Sequence, residues 1–93
     1  MIINFRDKET EKIYYQRYSN RLPQKIQKIA LRKLMMINVA EKLEDFRVPP
    51  GNHLEALSGD RKGQYSIRIN DQYRICFRMI ENDFADVEIV DYH

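Results

Sequence analysis

The sequence predicts an α+β domain in which a helical pair packs on a small twisted antiparallel sheet, in the order β-α-α-β-β-β. Three observations carry this. Apolar residues recur at helical spacing between positions 26 and 40, they alternate with polar ones over most of positions 65–90, and Pro49, Pro50 and Gly51 interrupt the chain between the two patterns. A chain of 93 residues supports one domain, 1–93, with a single modest core. Its 43% hydrophobic and 32% charged residues exclude disordered and collagen-like classes.

Met1 to Phe5 is apolar and β-favouring, and is expected to be the first strand. Asp7 has the chemistry of a helix N-cap, and Glu9 and Glu11 would face the positive end of the helix dipole. Ile13, Tyr14 and Tyr18 would then line one side of a helix over 8–18. Pro23 suits the first turn of a second helix, because its missing N–H costs nothing there. Ile26, Ile29, Ala30, Leu34, Ile37 and Ala40 form the buried stripe of that helix. Arg47 to Asn52 must be a loop, and His53 to Leu57 a helical turn or a short bridge strand. Ser58 to Gly63 reads as a polar turn.

The last thirty residues read as a three-stranded meander. Tyr65, Ile67 and Ile69 alternate with Ser66, Arg68 and Asn70. After a turn at Asn70-Asp71, Tyr73, Ile75, Phe77 and Met79 alternate with Arg74, Cys76 and Arg78. A second turn at Glu81 to Asp83 leads to Ala85, Val87 and Ile89, alternating with Asp86, Glu88 and Val90. Period two gathers the apolar set on one face, where the long helix covers it.

Charge is distributed unevenly. Residues 1–39 carry nine Lys or Arg against three acids, whereas residues 65–93 carry three against six. Lys25, Lys28, Arg32 and Lys33 fall on the faces of the long helix that the apolar stripe leaves free. That is the footprint of a polyanion-binding surface, although a solvated helix face would carry the same charges. The uncovered sheet face displays Arg68, Arg74 and Arg78, with Tyr92 alternating to the same side. Clustered guanidinium groups suit bidentate phosphate binding, or they pair with Asp86 and Glu88 of the last strand.

The only histidines are His53, after the Pro-Pro-Gly loop, and His93, preceded by Asp91 and Tyr92. Histidine is the side chain whose ordinary pKa, about 6.5, lets it move protons at cellular pH. A loop folded over the end of the last strand would join these residues and the arginines into one constellation. No His or Cys pair has metal-ligand spacing, so no metal or other cofactor is expected. The single Cys76 and the absence of CxxC exclude a disulfide framework. Frequent charges in the first thirty residues leave no apolar run of signal-peptide or membrane-span length, so a cytoplasmic protein is expected.

Three segments, in order, carry a resemblance: Arg47-Val48-Pro49-Pro50-Gly51-Asn52-His53, the hairpin from Tyr65 through Arg68 and Arg74 to Arg78, and the closing Asp91-Tyr92-His93. Over essentially its whole length the chain is similar to the HigB toxins of the RelE/ParE superfamily. The resemblance implies a RelE-like fold and the toxin role of a type II toxin–antitoxin pair. Its partner would be a HigA-like helix-turn-helix antitoxin, in a heterotetrameric complex that binds operator DNA.

It further implies a ribosome-dependent endoribonuclease, or mRNA interferase, that engages the 70S ribosome and cuts mRNA in the A site. The family's catalytic residues match His53, Asp91, Tyr92 and His93, and its phosphate-contacting arginines match Arg68 and Arg74. Some members have a lysine where this chain has Ala56. ParE-like members, similar in fold, instead inhibit DNA gyrase by binding, and a small RNA-binding module without activity would use the same arginines and Tyr92.

Overall fold

The structure, a computed structural model, describes residues 1–92. The first helix, α1 (Lys8–Tyr14), starts where Asp7 accepts hydrogen bonds from the Thr10 backbone N–H at 3.1 Å and the Thr10 hydroxyl at 2.6 Å. It ends four residues before the expected Tyr18. Gln16 adopts a left-handed conformation (φ +62), and Arg17 N–H turns back to the Lys12 carbonyl at 2.7 Å. Tyr18, expected on the buried side, is therefore exposed.

The second helix, α2 (Gln24–Val39), follows Pro23, which occupies the N-cap rather than the first turn. Ile26, Ala30, Leu34 and Ile37 are buried as their spacing predicts. Lys33 departs from the expected pattern. It does not lie on a free face of the helix but points inward, because two carbonyl oxygens wait for its ammonium there.

After α2 the chain makes a tight turn at Leu43–Arg47, held by Asp45 accepting from the Glu41 N–H at 2.9 Å and the Lys42 N–H at 3.3 Å. This turn buries Phe46 completely. Its ring centroid lies 5.4 Å from those of both Phe77 and Phe84, which are 5.5 Å from each other. Such tilted and edge-on pairs suit the aromatic quadrupole and form the centre of the core.

The sheet is an antiparallel meander of four strands, β1 (Glu55–Ala56), β2 (Gln64–Arg68), β3 (Tyr73–Ile80) and β4 (Asp83–Asp91), in that spatial order. The expected first strand exists only as two parallel bridges, Ile2 to Phe84 and Phe5 to Val87, along the outer side of β4. A bulge in β4 explains the interruption. Asp86 is left-handed (φ +53), and the pairing with β3 slips between Cys76 and Arg78. Asn4 fills the gap, its amide oxygen accepting from Asp86 N–H and its amide nitrogen donating to Asp86 Oδ1, both at 2.9 Å.

The extra residue also resets the alternation of β4. Phe84, Val87 and Ile89 face the helices, so Phe84 joins the core and Ala85 turns to the opposite face opposite Arg78. Strict period two had assigned Ala85 to the side of Val87. Among the described residues no helix is long and apolar enough to cross a membrane.

Candidate functional site

The sheet face turned away from the helices carries every second residue of its strands. In β2 and β3 these are Gln64, Ser66, Arg68, Arg74, Cys76, Arg78 and Ile80. Arg68 sits directly opposite Arg74, and Arg74 in turn opposite Val90, so two guanidinium-bearing residues stand side by side at one end of the sheet. Neighbouring like charges are unfavourable unless each is compensated.

Arg74 is compensated by burial in a hydrogen-bonded nest. Its Nε donates to Ser66 Oγ at 2.8 Å, its Nη2 donates to the His53 carbonyl, and its Nη1 lies 3.8 Å from Glu55 Oε1. It is thus not the freely displayed arginine that alternation suggested, because loop and strand groups close over it. Arg68 is half-buried and its Nη2 pairs with Asp71, a carboxylate that is 99% exposed. Arg78 pairs with Asp86 across the bulge at 3.5 Å. Gly63 makes room beside it: at φ +92 it takes a conformation few other residues adopt, and an added Cβ would lie 3.3 Å from Arg78 Nη1.

The loop bearing His53 packs against β2 rather than folding over β4. Pro50–Asn52 forms a single turn, and His53 leaves it in a left-handed conformation (φ +43, ψ +59). His53 precedes β1, and its carbonyl, accepting from Arg74 Nη2, sets it beside the cross-strand row of Arg68, Arg74 and Val90. The row leads toward Tyr92. The Tyr92 N–H donates to the Gln72 carbonyl, and the Gln72 amide donates to Asp91 Oδ2 at 3.2 Å. Arg68 and Arg74 thus lie between His53, on the β1–β2 side of the sheet, and the Asp91-Tyr92 segment of β4, with Asp91 itself paired to Tyr73 of the helix-facing set. His93 lies outside the described residues.

Two contributors to this face escaped sequence reasoning. Arg61, in the turn Gly59–Arg61, reaches across the sheet to Glu88 Oε1 at 2.7 Å and to Gln64 Oε1 at 3.1 Å. Its hydrogen bond to Glu88 holds the guanidinium above even its usual range. The available signal was Glu88, an acid alternating onto an arginine-rich face. Gln72 gave no signal beyond its place in a turn. Beneath Arg61, burial pushes the Cys76 thiol up, so that it stays protonated.

On the helical layer, Lys25, Lys28 and Arg32 are exposed as expected, whereas Lys33 is withdrawn. Lys33 Nζ donates to Asn52 Oδ1 at 2.8 Å and to the Arg68 carbonyl at 2.7 Å. Burial lowers its pKa from the usual lysine range, and the guanidinium groups of Arg32, Arg68 and Arg74 push it the same way.

Comparison with known proteins addresses the same residues. The sequence model of the family described as RelE-like toxin of type II toxin-antitoxin system HigB matches residues 3–93. Toxin HigB-1 of Vibrio cholerae serotype O1 (strain ATCC 39315 / El Tor Inaba N16961) is 40% identical over 82 residues, covering 87% of this chain and 86% of that protein. An uncharacterized protein of Haemophilus influenzae (strain ATCC 51907 / DSM 11121 / KW20 / Rd) is 38% identical over 81 residues, covering 86% of this chain and 80% of its own length. Membership of a toxin–antitoxin family implies an antitoxin partner. With two helices on a small antiparallel sheet and a family match that spans the His53 loop, the arginine row and the C-terminal segment, the chain belongs to the HigB toxins of the RelE-like family of type II toxin–antitoxin systems.

Proposed function

We propose that the chain is a ribosome-dependent endoribonuclease, cytoplasmic, that cuts translated mRNA in the A site through attack by the RNA's own 2′-OH. The observation that carries this reading is the pair Arg68 and Arg74 side by side, with the His53 carbonyl held by Arg74 on one side and the β4 end that carries Asp91 and Tyr92 on the other. Such cleavage needs a base for the 2′-OH proton, positive charge on the pentacoordinate phosphorus and an acid for the departing 5′-oxygen.

His93, oriented by Asp91, is the leading proton-transfer group, and His53 is its complement. Arg68 and Arg74 serve the phosphate. Arg68 is the more available of the two: an exposed ion pair like its bond to Asp71 is worth only about 0–1 kcal/mol, so a phosphate readily replaces that carboxylate. Arg74 acts while its other nitrogens hold the His53 carbonyl and Ser66. Arg78 extends the cationic track along the mRNA, and Tyr92, 38% exposed, offers a ring for stacking on a base.

Each acid–base group supplies about 10²- to 10⁴-fold, so alignment must supply the rest, and a ribosome that holds the mRNA in place provides it. Lys25, Lys28 and Arg32, exposed on α2, would dock on ribosomal RNA with the steep salt dependence of phosphate contacts. A helix-turn-helix antitoxin, in a heterotetramer that binds operator DNA, completes the assignment.

Mapping new mRNA 5′ ends by primer extension after brief induction tests the reading. The natural chain, His93→Gln and a translation-blocked culture are compared. Cuts inside translated frames should vanish with either change. Growth arrest with intact mRNA would overturn the nuclease assignment and favour a toxin that binds DNA gyrase.

A further inference from the structure

We propose that Lys33 and Asn52 are a positioning pair that fixes the His53 loop on the arginine-bearing end of the sheet. The proposal rests on the nuclease reading above. Lys33 is 7% exposed and Asn52 is fully buried, and the two are joined by the 2.8 Å bond from Nζ to Oδ1. The same ammonium reaches the Arg68 carbonyl, so a single charged group ties α2 to the loop and to β2. Asn52 spends its amide hydrogens on the Phe46 carbonyl at 3.2 Å and the Met36 sulfur at 3.4 Å. The residue before His53 is thereby anchored to α2 at two points and to the Leu43–Arg47 turn at a third.

Packing alone does not call for this arrangement. A buried lysine is uncommon unless paired, and the two oxygens that receive Lys33 are neutral. The charged groups acting on it, Arg32, Arg68 and Arg74, are all cations. A methionine would fill the same volume without that penalty. What the ammonium supplies is a directed link.

The link holds the loop where it is hardest to hold. His53 is a non-glycine residue in the left-handed region, a conformation that persists only when its surroundings dictate it. Asn52 is clamped by Lys33 on one side of that residue, and the His53 carbonyl is clamped by Arg74 on the other. The His53 residue itself remains exposed.

The test uses the full chain as wild type, Lys33→Met, Asn52→Ala and the double variant. Three quantities are read: thermal unfolding, amide exchange at Asn52 and His53 relative to β3, and single-turnover mRNA cleavage on saturating ribosomes beside ribosome affinity. In Lys33→Met the β3 amides should stay protected while those of Asn52 and His53 exchange faster. Cleavage should fall about 10- to 100-fold with ribosome affinity unchanged, the scale expected from misplacing a reacting group by an ångström. The double variant should cleave no more slowly than the weaker single one, because both break one link.

Should Lys33→Met not fold, Asn52→Ala breaks the link from the other side and is read in the same way. Full-rate cleavage by a folded variant, or unchanged exchange at Asn52 and His53, would overturn the pair alone. A wild-type chain that leaves ribosome-bound mRNA intact would overturn the nuclease reading, and the catalytic role of the pair with it.

Discussion

The two faces of the central strands are both buried, but by opposite means. On the helix side Ile67, Ile75, Phe77, Phe84 and Val87 are sealed under α2 and Phe46, with buried polar groups confined to the margins, at Thr10 and at the Lys33–Asn52 pair. On the other side Gln64, Ser66, Arg74 and Cys76 are equally hidden, under side chains from loops and turns that lie flat on the sheet. The apolar face derives its stability from area and shape. The polar face derives its order from directional bonds, each of which costs free energy if a partner is removed. Folding energy is concentrated on one side of the sheet and the candidate chemistry on the other.

That contrast can be broken from either side. The largest effect belongs to the apolar face: Phe46→Ala should cost about 3–5 kcal/mol, a large share of what a domain this size possesses, read as a drop in the urea midpoint. A variant that loses under 1 kcal/mol would mean that the aromatic trio is not the centre of the core.

Arg74→Lys, on the polar face, should cost less, about 1–3 kcal/mol, because a lysine lacks the planar fork that reaches Ser66 and the His53 carbonyl from two separate nitrogens. Its cleavage rate should nevertheless fall further than that of Phe46→Ala assayed at a temperature where both remain folded. Equal rates would erase the division of labour.

The smallest effect is a pH dependence. Lys33 has a lowered pKa in the folded chain, so the unfolded chain binds more protons, and this group makes stability rise with pH up to the ordinary lysine value of 10.5. The stability of wild type relative to Lys33→Met should therefore increase between pH 7 and pH 10 in denaturant titrations. A constant difference would place the ammonium in a more solvated setting than its burial indicates.

The helices and the meander were legible because their signals are periodic: Ile26 to Ala40 at helical spacing, Tyr65 to Met79 at period two. Reading failed where a local event reset the period. Gln16 stopped α1 early, and the bulge at Asp86 moved Phe84 into the core; a glutamine gives no sign of a positive φ, and an aspartate within a strand pattern only a weak one. Phe46 was missed because a single turn between helix and loop has no period at all. Within the candidate site, the residue types and the shared face of Arg68 and Arg74 could be read, but neither their surroundings nor the seat of the His53 loop against β2. Helical spacing placed Lys33 outside since it registers hydropathy and not an inward pair of carbonyl oxygens. Arg61 was invisible since its partner, Glu88, lies 27 residues away.

The N-terminal segment has one more consequence. Met1 to Arg6 lies along the outer margin of β4, with hydrogen bonds from Ile3 N–H to the Phe84 carbonyl and from Arg6 N–H to the Val87 carbonyl, both at 2.9 Å. At the opposite margin stands β1, two residues long, one of them the exposed acid Glu55. Short, interrupted or charged margins are how small sheets avoid zipping onto one another. A neighbouring chain that sought to extend this sheet would first have to peel away the N-terminal segment or displace β1, which protects against fibrillar self-association and directs any partner toward the helices or the arginine face.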